Sequence, residues 1–269
     1  MTDRGPRRPS GERRPPVALG LLGHFRLEYG TTAVPVGTGG RRLLALLGLR
    51  QRAPRSVLAG TLWPDTTEER ALGSLRTTLW KLRGQHPSVV RCVGEDIALA
   101  EAVAVDVRVL TESALRTVRP VRHAVTGAPD DPDLPLLDAL LGGDLLPGWD
   151  EDWVLPERER LRQLRLHALE ALSERLVAEG RHALALEAAL ASVRVEPLRE
   201  SAHRAVVAVH LAEHNLGEAV RHYEAFRGLL RAELGVEPSG RFGAMLGHAR
   251  APYPAVTGDH RLAGVPPTA

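Results

Sequence analysis

Residues 68–83 run EERALGSLRTTLWKLR, and the spacing of their apolar side chains sets the reading of the chain around them. Leu72, Leu75, Leu79 and Leu82 recur at helical intervals and form one face. Arg70, Ser74, Thr77 and Lys81 lie on the opposite face, with Arg76, Trp80 and Arg83 on the flanks. A helix that buries leucine and presents Arg, Ser, Thr and Lys has the shape and hydrogen-bonding groups to sit in a DNA major groove. The same pattern also describes an ordinary solvated amphipathic helix, so the flanking sequence has to decide.

Upstream, Pro64 stops a preceding helix because it lacks an amide donor and clashes with the turn before it. Asp65, Thr66 and Thr67 then supply cap chemistry for the new helix. The preceding helix is expected to start at Ser56, as a cap, and to run through Trp63. Arg41 to Arg50, with Leu43, Leu44, Leu46, Leu47 and Leu49, predicts a mostly buried first helix. Before it, Val17–Leu22, His24–Tyr29 and Ala33–Val36 read as short strands, and Gly39-Gly40 closes that region. Downstream, Val89–Val93 and Ile97–Leu99 form a hairpin turned by Gly94-Glu95-Asp96. A small sheet, three helices and a terminal hairpin is the order of a winged helix with an amino-terminal sheet.

Charge divides along the chain in the same sense. Residues 1–110 hold 17 Arg or Lys against 10 Asp or Glu, whereas the remainder holds 18 against 23. A basic first half facing an acidic second half suits contact of the first half with a polyanion. Lys81 is the only lysine; an arginine-rich composition suits phosphate and guanine contacts and is equally the mark of a GC-rich genome. The opening 16 residues carry five arginines among Pro and Gly, with no apolar segment of a secretory signal. They are expected to be a disordered basic arm. Cys92 stands alone, which excludes an intrachain disulfide and fits a reducing cytoplasm. The longest apolar stretch, Leu43 to Leu49, is too short to span a bilayer, so no membrane partner is expected.

The second half reads as helical. Val105–Val118 leaves the first domain as a short strand and helix, and Thr126–Pro135 reads as a loop. From Trp153 onward Leu155, Leu161, Leu164, Leu169, Leu172 and Leu176 keep a helical stripe. AEGRHALALEAAL from Ala178 aligns with AEHNLGEAVRHYE from Ala212 at an offset of 34 residues. Both place alanine (Ala185, Ala219) six residues after a glutamate, where close helix packing demands a small side chain. A 34-residue helical-hairpin period is the tetratricopeptide spacing.

The segment RRLLALLGLRQRAPRSVLAGTLWPDTTEERALGSLRTTLWKLRG resembles the DNA-binding domain of the Streptomyces antibiotic regulatory protein (SARP) family. The segments DLLPGWDEDWVLPERERLR and YEAFRGLLRAELGVEPS resemble the bacterial transcriptional activator domain that follows it in that family. The two occur in the family's order and together cover roughly residues 17–248. The resemblance implies an OmpR-like winged helix over 17–110 and an activator domain over 111–250, flanked by the arm (1–16) and a disordered tail (251–269). The expected fold class is therefore mainly α with a small β component: a winged helix-turn-helix, then an all-α tetratricopeptide-like domain.

By the same resemblance the protein is a pathway-specific activator of a secondary-metabolite cluster. It binds direct repeats in double-stranded promoter DNA, self-associates there and recruits RNA polymerase holoenzyme. Arg76, Thr77 and Lys81 are expected in the groove, together with Ser74 on the same face, and Arg70 and Arg83 on phosphates. Arg83 has an alternative use in capping its own helix. Trp63 and Trp80 read as half-buried packing residues. Arg91 is the hairpin's one basic residue, and Glu95 and Asp96 put carboxylates at its tip, so weak wing binding is expected.

Two other classes compete. An enzyme would need a site, and no G-x-x-x-x-G-K-[ST], H-E-x-x-H or G-x-S-x-G motif occurs. His210 and His214 stand one turn apart, and His182 lies near Glu187, but no third ligand has metal-site spacing; neither metal nor cofactor is expected. A tetratricopeptide-like scaffold whose winged helix does not read DNA is the other alternative, and the basic face argues against it.

Overall fold

The computed structural model describes residues 16–118 and 133–249, so the expected arm and tail, and most of the loop expected over 126–135, lie outside the described residues. The chain forms two compact units, one reaching Arg175 and the other beginning at Leu176.

In the first unit β1 (Val17–Gly20) pairs antiparallel with β2 (Arg26–Tyr29), which pairs with β3 (Thr32–Ala33). Helix α1 (Thr38–Arg50) follows, then β4 (Arg52–Pro54), α2 (Arg55–Leu62) and α3 (Glu68–Gln85). A hairpin of β5 (Val90–Val93) and β6 (Asp96–Leu99) leads to β7 (Val103–Val105), which returns parallel to β1. Helices α4 (Asp106–Val118) and α5 (Asp133–Leu141) and most of α6 (Leu155–Ala178) complete the unit. Leu43, Leu44, Leu46 and Leu47 of α1 are wholly buried, and α1 packs on α2, α3 and β6. It is the leucine-rich keel on which the other two helices rest.

Several boundaries differ from the sequence expectation for identifiable reasons. Gly39-Gly40 opens α1 instead of ending the strand region, because α1 starts hard against Val36: a Cβ on Gly40 would sit 2.9 Å from Val36 Cγ1. The expected strand over 33–36 shrinks to Thr32–Ala33, since Pro35 has no amide to give a ladder. Leu21 and Leu22 leave β1 early. Their amides donate to the Asp106 carboxylate (2.9 Å each), which also accepts from the Val107 amide at 2.7 Å. Burial pushes the Asp106 carboxyl above its usual range while these three amides and Arg26 pull it back. Helix α2 starts at Arg55 behind Pro54, with no side-chain cap, so Ser56 is a helical residue and not the cap. Thr67 occupies the α3 cap position but makes no side-chain cap hydrogen bond. The expected loop gives way to α5 from Asp133, where Pro135 falls in the first turn and forfeits no helical hydrogen bond. On α6 Leu161, Leu169, Leu172 and Leu176 are buried as expected, but Leu155 is exposed and Leu166 takes a core place.

Arg158 secures the DLLPGWDEDW loop by donating to the carbonyls of Leu145 (2.8 Å), Leu146 (2.6 Å) and Trp149 (2.9 Å). That one guanidinium satisfies three loop acceptors at once.

The second unit holds α7 (His182–Val195), α8 (Glu200–Ala212), α9 (Leu216–Leu234) and α10 (Gly240–Ala249). The 34-residue repeat is visible in its backbone. One helix ends at Ala178 and another at Ala212, and the next begin at His182 and Leu216. The turns place Gly180 (φ 73°) and His214 (φ 60°) at equivalent positions. Ala185 and Ala219 are fully buried, as the close packing of paired helices requires. The core closes around Val207, Phe226, Leu230, Phe242 and Leu246.

His203 is buried in that core, stacked on Phe226 with centroids 4.0 Å apart. Its Nε2 lies 2.8 Å from the Pro197 carbonyl, an acceptor only, so that nitrogen carries the proton. The Nδ1 of His203 then accepts from His222 Nε2 at 2.9 Å. Burial, reinforced by His203 and His210, holds His222 down at about 4. The folded unit keeps the ring neutral whereas the unfolded chain takes up a proton near pH 6.5. The stabilisation is therefore full above about pH 6.5 and is lost as pH falls towards 4. For a half-buried, partly screened ring we expect a loss of about 1–2 kcal/mol. Hydrogen exchange of α8 and α9 amides, corrected for intrinsic rates, should show it, and His222→Gln should flatten the trend. An equally steep trend in that variant would remove the pair as its source.

Candidate nucleic-acid interface

Helices α2 and α3 are joined by residues 63–67, with the Trp63 amide bonded to the Ala59 carbonyl and the Thr66 hydroxyl donating to the Trp63 carbonyl at 3.1 Å. This short polar turn, forced by Pro64, throws α3 across α2 as a helix-turn-helix. Glu68 and Glu69 lie in the first turn of α3, where carboxylates favour the positive end of the dipole. Ala71, Leu75, Leu79 and Leu82 are buried, while Leu72 is half-buried, so the inward stripe is the expected one with Ala71 added.

That docking fixes the outward face. Arg70, Arg76, Thr77, Lys81 and Arg83 are exposed and Ser74 is half-buried. The Thr77 hydroxyl donates back to the Gly73 carbonyl at 3.1 Å, leaving its oxygen as an acceptor. Among the described residues, Arg70, Arg76 and Lys81 make no ion pair. Their charge faces outward uncompensated. Arg76 holds a central place, lining two adjoining clefts of ≈ 490 Å³ each. One cleft is formed with Arg55, Trp80 and Arg83, the other with Arg55, Leu72 and Glu95.

The wing is three-stranded, in the order β4-β6-β5. Gly94 takes φ 61° in the two-residue turn between Val93 and Asp96, a left-handed conformation that favours glycine. The tip is less acidic than its sequence suggests. Asp96 is paired with Arg52 of β4 at 2.5 Å and is largely covered, which leaves Glu95 as the exposed carboxylate. Arg91 is engaged with Glu101 at 2.8 Å. Arg83 does not cap α3: its Nη2 donates to Cys92 Sγ on β5 (2.7 Å), and Arg55 Nη2 reaches the same sulfur (3.0 Å). The two guanidiniums thereby converge between the wing and the end of α3.

Sequence reasoning set Arg70, Ser74, Thr77 and Lys81 on the face opposite the leucines, with Arg76 and Arg83 on the flanks and Arg91 apart on the wing; of these Ser74 is half-buried and the others are exposed. It missed Arg55, for which a cation straight after Pro54, at the start of a helix, was the available signal. It also mistook Trp80, expected to be half-buried: the indole is 76% exposed. Its position four residues beyond Arg76, on the outward flank, was the signal. Trp63 is half-buried as expected.

Residues 137–246 match the family model described as the bacterial transcriptional activator domain. The regulatory protein AfsR of Streptomyces coelicolor is 29% identical over 258 residues, covering 88% of this chain and 25% of AfsR. AfsR of Streptomyces griseus is 26% identical over 256 residues, covering 88% of this chain and 26% of that protein. The chain thus spans about a quarter of the length of the curated relatives it matches. Among solved structures, Mycobacterium tuberculosis EmbR, determined in complex with a low-affinity phosphopeptide, aligns with a TM-score of 0.66 at 19% identity. That alignment covers 87% of this chain and 65% of EmbR, and it establishes likeness of fold. No helix among the described residues is long and apolar enough to cross a membrane.

Proposed function

We propose that the chain is a transcriptional regulator of the SARP family and that it activates transcription by reading double-stranded promoter DNA with α3, a reading supported by the matched activator domain and the AfsR relatives. The observation that carries this reading is the outward face of α3, where Arg70, Arg76 and Lys81 stand exposed without acidic partners among the described residues. With leucines turned inward, α3 offers the major groove the exposed donors of Arg70, Arg76 and Lys81 for base edges and phosphates. Arg76, Thr77, Lys81 and Ser74 read bases, Arg70 and Arg83 hold phosphates, and the Arg91 wing adds little.

Functionally the chain divides near residue 110 in this reading, with DNA contact assigned to 17–110 and protein contact to 111–250. The helical module recruits RNA polymerase and lets copies sit side by side on direct repeats, switching on a secondary-metabolite cluster. The matched activator domain and the AfsR relatives support this assignment.

Selection of the full chain against a library of randomised duplexes tests the central claim. We expect one enriched motif, repeated in direct orientation, with affinity that falls steeply as salt rises because phosphate contacts release counterions. Retention of all duplexes alike would overturn sequence reading and leave the scaffold alternative in its place.

A further inference from the structure

Trp80 is anomalous. A tryptophan ordinarily surrenders most of its large apolar surface to a core or an interface, yet this one is 76% exposed beside three arginines. Its neighbours around the cleft are Arg55, Arg76, Leu79, Arg83 and Gly84. Leu79 is buried and anchors that turn of α3 to the core, so the indole stands on a rigid base. The guanidiniums around it are cations suited to phosphate, and charge complementarity therefore commits the occupant of this cleft to nucleic acid.

On the floor of a major groove the one apolar group displayed by base pairs is the 5-methyl of thymine. Resting on the DNA-reading role of α3, we infer that Trp80 is a specificity-determining residue that packs its indole on a thymine methyl. Arg76, one turn earlier, reaches the neighbouring base edge, and Arg55 and Arg83 grip the flanking phosphates. Wedging between base pairs is a minor-groove device that uses kinked DNA, and a helix lying in the major groove does not present its flank that way. Arg83 and Arg55 are already turned to the same side, towards Cys92, so the phosphate-binding groups stand preset around the indole.

The test uses the full chain and a duplex enriched by library selection. Each thymine is replaced in turn by deoxyuridine, which removes only the methyl, and the dissociation constant is measured for wild type, Trp80→Ala and Trp80→Phe. For wild type, one or two positions should show a penalty of about 3- to 10-fold, the loss expected for one buried methyl. Trp80→Ala should erase that penalty while melting like wild type, and Trp80→Phe should keep part of it. An identical deoxyuridine profile in wild type and Trp80→Ala would overturn the assignment, as would a wild-type profile with no sensitive thymine. A uniform loss of affinity in Trp80→Ala with the profile intact places the indole on the sugar-phosphate backbone and also overturns it. If wild type enriches no duplex at all, the DNA-reading role itself fails, an outcome distinct from these.

Discussion

Arg76→Ala is expected to weaken binding to the selected duplex by about 1–3 kcal/mol, roughly 5- to 150-fold in Kd, and to relax preference at one base pair. The reason is positional. Arg76 is exposed, makes no ion pair among the described residues, and lines both clefts between α3 and α2, one of which also reaches the wing at Glu95. Removing it therefore subtracts a contact to DNA without leaving a buried group unsatisfied, and the melting temperature should not move. Adding Lys81→Ala, the second base-reading cation, should deepen the loss and relax preference at a further base pair. Arg91→Ala serves as the comparison. Its guanidinium is already engaged by Glu101, so its removal should change affinity far less. Gel shift or fluorescence anisotropy measures all three, and an unchanged Kd in the Arg76, Lys81 double variant would end the case for α3 as the reading helix.

Phe226→Ala is expected to have the largest effect on stability, about 3–5 kcal/mol lost from the second unit. Phe226 is 1% exposed and touches two partners of different kinds. It stacks on the His203 ring at 4.0 Å and leans on Phe242 of α10 at 5.8 Å. Its loss opens a cavity, frees the imidazole pair from its apolar wall and withdraws one of the two aromatic supports of Phe242 on α10 at one stroke. Hydrogen exchange should show α8, α9 and α10 losing protection together. Protection within about 1 kcal/mol of wild type would mean that the unit collapses to fill the space, contrary to the close packing seen around Ala219.

Much of the architecture is legible in the sequence because it is written in local, repeated chemistry. The stripe Leu75, Leu79, Leu82 has one helical solution, Pro64 admits one stop, and Gly94 with two flanking apolar runs admits a hairpin. The alanines at 185 and 219 announce the helix pairs, since a larger side chain there would separate them. Other features had no local signature. Strand β4 is three residues long, ends in proline and exists because β6 offers it an edge. Asp106 looks like any acidic residue at a helix start until the amides of Leu21 and Leu22, some 85 positions earlier, are brought to it. The partnership of His203 with His222 spans two helices and depends on their crossing.

By itself the amino-acid sequence determined that α3 exists, which of its faces is buried and that its other face is cationic, because helical periodicity and charge are properties of neighbouring residues. It did not determine which flanking residues stand free. The tertiary structure decided that Trp80 is exposed and Leu72 partly covered, that Arg52 draws the charge from Asp96, and that Arg55 joins Arg83 beside the wing. Those outcomes turn on the rotation of α3 over α1 and α2 and on the approach of a hairpin distant in the chain. A few tens of degrees of helix rotation exchange a packed indole for an exposed one, and only the packing of the whole unit sets that angle.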